Sequence, residues 1–495
     1  MFAPPTVVAL LLGLAATPGT AAAATPAPQP YVANPKPAHT VLGPGDSRTA
    51  VRVKFAEGAP VRLRDGRLTG PADAPAVRAA LAAGTVSRLF PQSEQELADL
   101  TAAARRRSGR VQADLDQYYR VALRPGTDPA AVLDALNALP VVEIAYPEPL
   151  PAPPPGAAAA RPARPGTTAA TPNFADRQRY ALPGDGIDAA FARTVPGGTG
   201  RHVRVHDIEY GWHVNHEDLT KLTAPGAMVP QGRPSSSFES HGTAVMGELI
   251  ANDNAFGVTG LVPDATPQLT NVGTTTGHNV AGAITTAARA LRPGDVMLLE
   301  QQMNTCGGGY GPVEWEPATY DAIVAATSAG IAVVQAAGNG NQNLDAPCNG
   351  NPFPRGKPDS GAIIVGAGGA GAGQKCSPPR QKLGFSTYGR RIDVQAWGEC
   401  VVTTGSGDLQ GGADTVKYTA RFSGTSSASP IVTGAAAALS SIARERGRTL
   451  RPTEIRDILR GTGQAQVGTG GQIGPLPDLR AAIARLQAIL AAEGR

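Results

Sequence analysis

No run of 18 or more consecutive apolar residues occurs beyond the N-terminus, which excludes a multi-pass membrane protein. Charge of one sign is also missing. A formal net charge of +4 over 495 residues is nearly neutral, which excludes a strongly basic nucleic-acid binder. Charged residues make up only 17% of the chain against 42% hydrophobic ones, so the chain as a whole is not intrinsically disordered. Cysteine is scarce, and none of Cys306, Cys348, Cys376 and Cys400 lies in a C-x-x-C motif. That spacing suits two structural disulfides in an oxidising compartment better than a zinc site. Three pairings are possible, of which Cys306 with Cys348 and Cys376 with Cys400 is preferred. No repeat of fixed period is present.

What is there divides the chain into segments. Thr6 to Ala16 (TVVALLLGLAA) is a short apolar run, broken by Pro18 and Gly19 and followed by small residues at Ala21 to Ala24. No Lys or Arg precedes it, but the rest of the pattern predicts a signal peptide over 1–24 and a secreted, extracellular protein. A disordered segment is expected over 25–46. Pro147 to Pro172 contains nine prolines in 26 residues and is expected to be an exposed linker open to proteolysis. Between them, over 47–146, TAVRVKF (Thr49–Phe55), YYRVAL (Tyr118–Leu123) and VVEIAY (Val141–Tyr146) alternate like strands. Asp128 to Leu139 carries an Asp cap, Pro at the first helical position and helical spacing. These elements predict a small α+β domain with no catalytic constellation.

Residues 173–495 alternate apolar strand-like runs (202–208, 296–301, 332–337, 362–366, 392–396) with helical patterns (241–251, 280–291, 320–329, 427–446, 452–459, 479–490). The alternation predicts an α/β fold with a mainly parallel twisted sheet flanked by helices. Functional residues of such sheets lie beyond the carboxyl ends of the strands. Asp207 ends a strand-like run. His241, in SHGTAVMGELI, opens a helix, where a positive charge is disfavoured and a neutral imidazole can serve as base. Ser426, in FSGTSSASP, follows a Gly424 turn at the start of a small-residue helix, with free backbone donors beside it. Asn339, in QAAGNGN, is a neutral amide at a strand end that can donate to an oxyanion. Taken singly, each string has an ordinary reading as a turn, a cap or a packing residue.

Taken together, the order Asp207, His241, Asn339, Ser426 and the strings HGT, AAGN and GTS followed by Pro430 resemble the subtilisin-like serine proteases. Gly257–Pro263 (GVTGLVP), Ala362–Ala367 (AIIVGA) and Phe385–Gly389 (FSTYG) match family stretches, so the resemblance covers roughly Pro172 to Leu490. It implies a serine endopeptidase with Ser426 as nucleophile, His241 as base, Asp207 as orienting acid and Asn339 in the oxyanion hole. It also implies an acyl-enzyme and no cofactor for the chemistry. The small domain becomes a propeptide that assists folding and inhibits in cis, with the mature N-terminus between Pro151 and Pro172. Partners are then protein or peptide substrates, with no nucleic acid and no membrane anchor, and a monomer is expected.

Three departures from the family matter. The usual Asp-Thr/Ser-Gly is replaced by Asp207-Ile208-Glu209-Tyr210-Gly211, which puts two extra residues before His216-Glu217-Asp218-Leu219. Glu209 is the competing acid, and Asp207 is preferred because it follows the strand directly. Where the family offers Ser-Leu-Gly-Gly to substrate, this chain has Leu299-Glu300-Gln301-Gln302, and Glu300 suggests a preference for basic side chains. Ser427 stands where Met is common. The resemblance further implies a structural Ca²⁺ site formed by Asp218 and Asn254, with the carbonyls of Asn252, Phe256 and Val258, and with Asp253 as an alternative. Two other readings compete. One is a catalytically silent relative that binds peptides. The other is an acid-acting serine-carboxyl peptidase, against which His241 and Asn339 argue. A GxSxG esterase is excluded by the Gly424-Thr425-Ser426-Ser427-Ala428 string.

Overall fold

The computed structural model describes residues 29–154 and 170–494, apart from 236, 276 and 372–375 and the side chains of 72 and 73. The signal-peptide expectation over 1–24 lies outside the described residues.

The small domain contains β1 (Asp46–Phe55), β2 (Gly84–Arg88), α1 (Glu94–Ser108), β3 (Tyr118–Leu123), α2 (Pro129–Asn137) and β4 (Val142–Pro149). The strands form one antiparallel sheet in the order β2-β3-β1-β4. The Asp128 carboxylate accepts from the Ala130 N–H at the start of α2, the capping that its sequence predicts. α1 escaped the sequence reading although Ser93 and Glu96 form a reciprocal capping box. β4 runs on through Pro147 and Pro149, so the expected linker begins later than its proline content suggests. Residues 29–45 are the described part of the segment expected to be disordered. They form no helix or strand, but Tyr31 Oη donates to Glu143 (2.7 Å), the buried Asn34 Nδ2 donates to the same carboxylate (2.8 Å), and Lys357 donates to the Val32 carbonyl. These polar anchors hold a chain that has no apolar periodicity of its own.

The large domain is built on β5 (Arg204–Glu209), α3 (Glu239–Ile250), β6 (Thr266–Asn271), α4 (Val280–Ala290), β7 (Val296–Leu299), α5 (Pro317–Ser328), β8 (Ala332–Ala336), β9 (Ile363–Gly368), β10 (Val394–Trp397), α6 (Thr425–Glu445), α7 (Pro452–Thr462) and α8 (Leu479–Ala492). Its six strands pair in parallel in the order β10-β9-β8-β7-β5-β6. β7 shows why the strands are apolar throughout. Val296 and Leu298 join the cluster that includes α3 and α6, while Met297 and Leu299 join the one that includes α4 and α5. A strand covered on both faces has no polar side to present. β6 (TPQLTN) lacks such a run and was not anticipated. Both disulfides join the preferred partners, Cys306 to Cys348 and Cys376 to Cys400.

The small domain packs on α4 and α5. Leu89, Phe90, Leu97, Leu100 and Tyr118 share a hydrophobic cluster with the alanines of those helices. Polar contacts fix the fit: Arg52 Nη1 to Glu316 (3.0 Å), Tyr118 Oη to Asp321 (2.7 Å) and Asn279 Nδ2 to the Leu89 carbonyl (2.7 Å).

Candidate active site

The carboxyl ends of β5 and β8 face the N-terminal ends of α3 and α6, so residues far apart in sequence meet there. Ser426 is the second residue of α6. Gly424, just before that helix, has φ +107, a conformation that a side chain resists. His241 is the third residue of α3, and its Nε2 lies 2.9 Å from Ser426 Oγ. Its ring meets Phe422 edge to face, with centroids 5.4 Å apart. Gly242 is required by crowding, since a Cβ there would lie 2.3 Å from the Gly211 carbonyl and 2.7 Å from Glu209 Cγ.

The acid on the other side of His241 is Glu209. Its Oε2 lies 2.6 Å from His241 Nδ1, and its Oε1 accepts the Tyr210 N–H at 2.7 Å. Asp207, expected in that place, is fully buried one step back on the same face of β5. Its Oδ2 accepts from Trp212 Nε1 at 2.8 Å. Burial and the neighbouring Glu209 push the Asp207 carboxyl well above the usual carboxylate range. The carboxylate in contact with His241 is therefore Glu209 and not Asp207, the residue expected there. The missed signal was spacing: Glu209-Tyr210-Gly211 is an acid-x-Gly triplet, and counting from Glu209 removes the two extra residues.

Asn339 lies beside Thr425, the first residue of α6. Its Oδ1 accepts both the Thr425 N–H and the Thr425 hydroxyl, each at 2.9 Å. With the oxygen end held by Thr425, the Nδ2–H end is the one left to donate, beside the N–H groups of the first turn of α6. Glu300 does not face substrate. It is fully buried, with Oε1 accepting from Ser429 Oγ at 2.7 Å. Burial, then Glu209 and Asp207, raise its carboxyl well above the usual range. The expected preference for basic side chains loses its basis, because Glu300 sits under α6 instead of at the cleft.

Asp218 and Asn254 do come together, but as hydrogen-bonding partners. Asn254 Nδ2 donates to Asp218 Oδ1 (3.0 Å), the Val258 N–H donates to Oδ2 (2.8 Å), and Asn254 Oδ1 is taken by the Phe256 N–H (3.0 Å). Tyr418 Oη also bonds to Asp218, and burial raises this carboxyl to about 6. Calcium needs several oxygens turned towards it. Here they are turned towards N–H and O–H donors, so the arrangement does not fit the ion. Among the described residues no group of three or more His, Cys, Asp or Glu is placed to hold a metal.

Residues 207–474 match the model of the subtilase family. The chain belongs to the subtilases. Subtilisin NAT of Bacillus subtilis subsp. natto is 28% identical over 266 residues, which cover 54% of this chain and 61% of that protein. The subtilisin of Bacillus pumilus is 28% identical over 266 residues, covering 85% of its length. The chain thus spans about three fifths of the length of several curated relatives. Fervidolysin from Fervidobacterium pennivorans, described as a keratinolytic enzyme related to subtilisin, superposes with a TM-score of 0.53 at 17% identity, over 93% of this chain and 64% of its own. At that identity the likeness is one of fold.

Proposed function

We propose that this subtilase is a secreted serine endopeptidase, made as a zymogen and processed by its own site. The observation that carries the reading is the run of bonds Glu209 to His241 to Ser426, with Asn339 fixed beside the nucleophile. Ser426 Oγ attacks the carbonyl carbon of the scissile bond while its proton passes to His241 Nε2. Glu209 holds Nδ1–H, which fixes the tautomer and stabilises the imidazolium. The developing oxyanion takes hydrogen bonds from Asn339 Nδ2 and the Ser426 N–H. The imidazolium then protonates the leaving amine, and water releases the acyl group by the same steps in reverse.

The small domain is the propeptide in this reading. Its last strand leads into Leu150–Pro154, which lies against Tyr210 and Gln302 beside the site. The catalytically silent alternative rested on an insertion after Asp207, and that insertion disappears once Glu209 is the acid. His241 between Glu209 and Ser426 disfavours the serine-carboxyl alternative. The deciding experiment expresses the full chain with export beside Ser426→Ala, then measures N-terminus, mass and casein hydrolysis near neutral pH. The expected result is an active wild type trimmed between Pro151 and Pro172 and an inert, uncut variant. An inactive wild type that keeps its first domain would refute the proposal.

A further inference from the structure

The segment after β4 rests in a cleft lined by Tyr210, His278 and Gln302, with an alternating pattern. Ala152 and Pro154 are buried, while Pro151 and Pro153 are exposed, as in an extended chain with one face against a surface. Among the described residues, the hydrogen bonds that the cleft gives to 151–154 come from side chains and go to carbonyls. Tyr210 Oη donates to the Ala152 carbonyl at 2.6 Å, and Gln302 Nε2 donates to the Pro153 carbonyl at 2.9 Å. Both donors are almost fully buried. Each is also tied to the reacting groups. Tyr210 follows Glu209 in sequence, and its ring packs on Phe238 and His278. Gln302 Oε1 accepts the backbone N–H of Asn339 at 2.9 Å, so both ends of its amide are engaged and its orientation is fixed. Successive carbonyls of an extended chain point to opposite sides, and the two donors come from different elements.

We propose that Tyr210 and Gln302 form a side-chain clamp that positions the acyl side of an extended substrate by two consecutive carbonyls. The substrate class it suits is the proline-rich extended peptide. A backbone ladder needs N–H donors from the substrate, and proline has none. A clamp that reads only carbonyls loses nothing at Pro151, Pro153 or Pro154. The clamp rests on the endopeptidase reading for its role in turnover, whereas its geometry is testable without turnover. Tyr210 and Gln302 are positioning residues.

The first test uses the uncut Ser426→Ala full chain and follows amide hydrogen exchange at Leu150 and Ala152. Tyr210→Phe keeps the ring and Gln302→Glu keeps the acceptor for Asn339, so folding is retained while each donor is lost. Exchange about tenfold faster in either variant is expected, and unchanged exchange in both overturns the clamp. The second test uses active enzyme and a quenched peptide of sequence Pro147–Pro172. Each variant is expected to raise KM roughly three- to tenfold, the size of one neutral hydrogen bond, with kcat changed less. A thioamide replacing the Ala152 carbonyl should weaken wild type by a similar factor and leave Tyr210→Phe unaffected, because the contact is already gone. Equal losses in both, or at least tenfold discrimination against proline relative to an alanine-substituted peptide, would overturn the proposal. If wild type fails to hydrolyse casein, the endopeptidase reading fails while the exchange experiment still decides the clamp.

Discussion

Two acids on one strand face illustrate how finely the residue scale is set. Asp207 and Glu209 lie two positions apart on β5, so both point to the same side of the sheet, and only Glu209 reaches the imidazole. Glu209→Gln is expected to lower kcat by roughly 10⁴, the loss typical of replacing the orienting carboxylate by an amide. Asp207→Asn should cost less than tenfold, since the amide oxygen still accepts from Trp212. Rates of self-cleavage and of peptide hydrolysis check both, and the reverse ranking would return the role to Asp207. Asn339→Leu is expected to reduce kcat by about 10²–10³ with little change in KM.

At the scale of elements, the loop that follows β5 is closed by hydrogen bonds where an ion was expected. Gly257 has φ +64, and a Cβ there would lie 2.3 Å from Asp218 Oδ2, so the backbone wraps the carboxyl tightly. Burial raises the folded-state value to about 6, above the ordinary value near 4. A raised carboxyl stabilises the fold while protonated. The contribution is complete below about pH 4 and is lost as pH rises through 6. Two units correspond to about 3 kcal/mol. Urea unfolding of the Ser426→Ala chain at pH 4.5 and 7.5 should show about 2 kcal/mol of this loss, and Asp218→Asn should lack it. A chelator is expected to leave Tm within about one degree. A rise of several degrees on adding calcium would mean that the ion displaces the Asn254, Val258 and Tyr418 donors.

Across the whole molecule, the two domains are joined through buried polar pairs as well as apolar contact. Arg52 and Glu316 are both almost fully buried and 3.0 Å apart, and Tyr146 Oη donates to the same carboxylate. Burial alone would raise the Glu316 carboxyl, but Arg52 together with bonds from Thr319 and Tyr146 holds it below its ordinary value. Arg52→Ala leaves that carboxylate buried without its cation, which typically costs about 3–5 kcal/mol. The variant in the Ser426→Ala background should unfold its small domain at lower urea and refold in lower yield. A wild-type transition would mean that the apolar contact with α4 and α5 alone holds the domains together.

Much of this organisation was legible before any coordinates. Period and capping marked most strands and helices, because continuous apolar runs such as Val296–Leu299 belong to strands covered on both faces and Asp128-Pro129 can only open a helix comfortably. The residues proposed as nucleophile, base and oxyanion amide stand out in the sequence for a related reason: each sits in a string where glycine permits a turn and a polar group can be presented. β6 leaves little trace in the sequence because TPQLTN mixes polar residues and a proline with a single leucine, although most of it is buried, and residues 29–45 leave none because polar anchors have no periodic pattern. Local sequence placed two acids on one face of β5 and a carboxylate at position 300. Which acid touches His241, which are sealed beneath α6, and whether Asp218 meets donors or an ion depend on where α3, α6 and the Asn252–Val258 loop come to rest. Those distances are set by packing between elements distant in the chain, and a difference of two residues along a strand reverses the outcome.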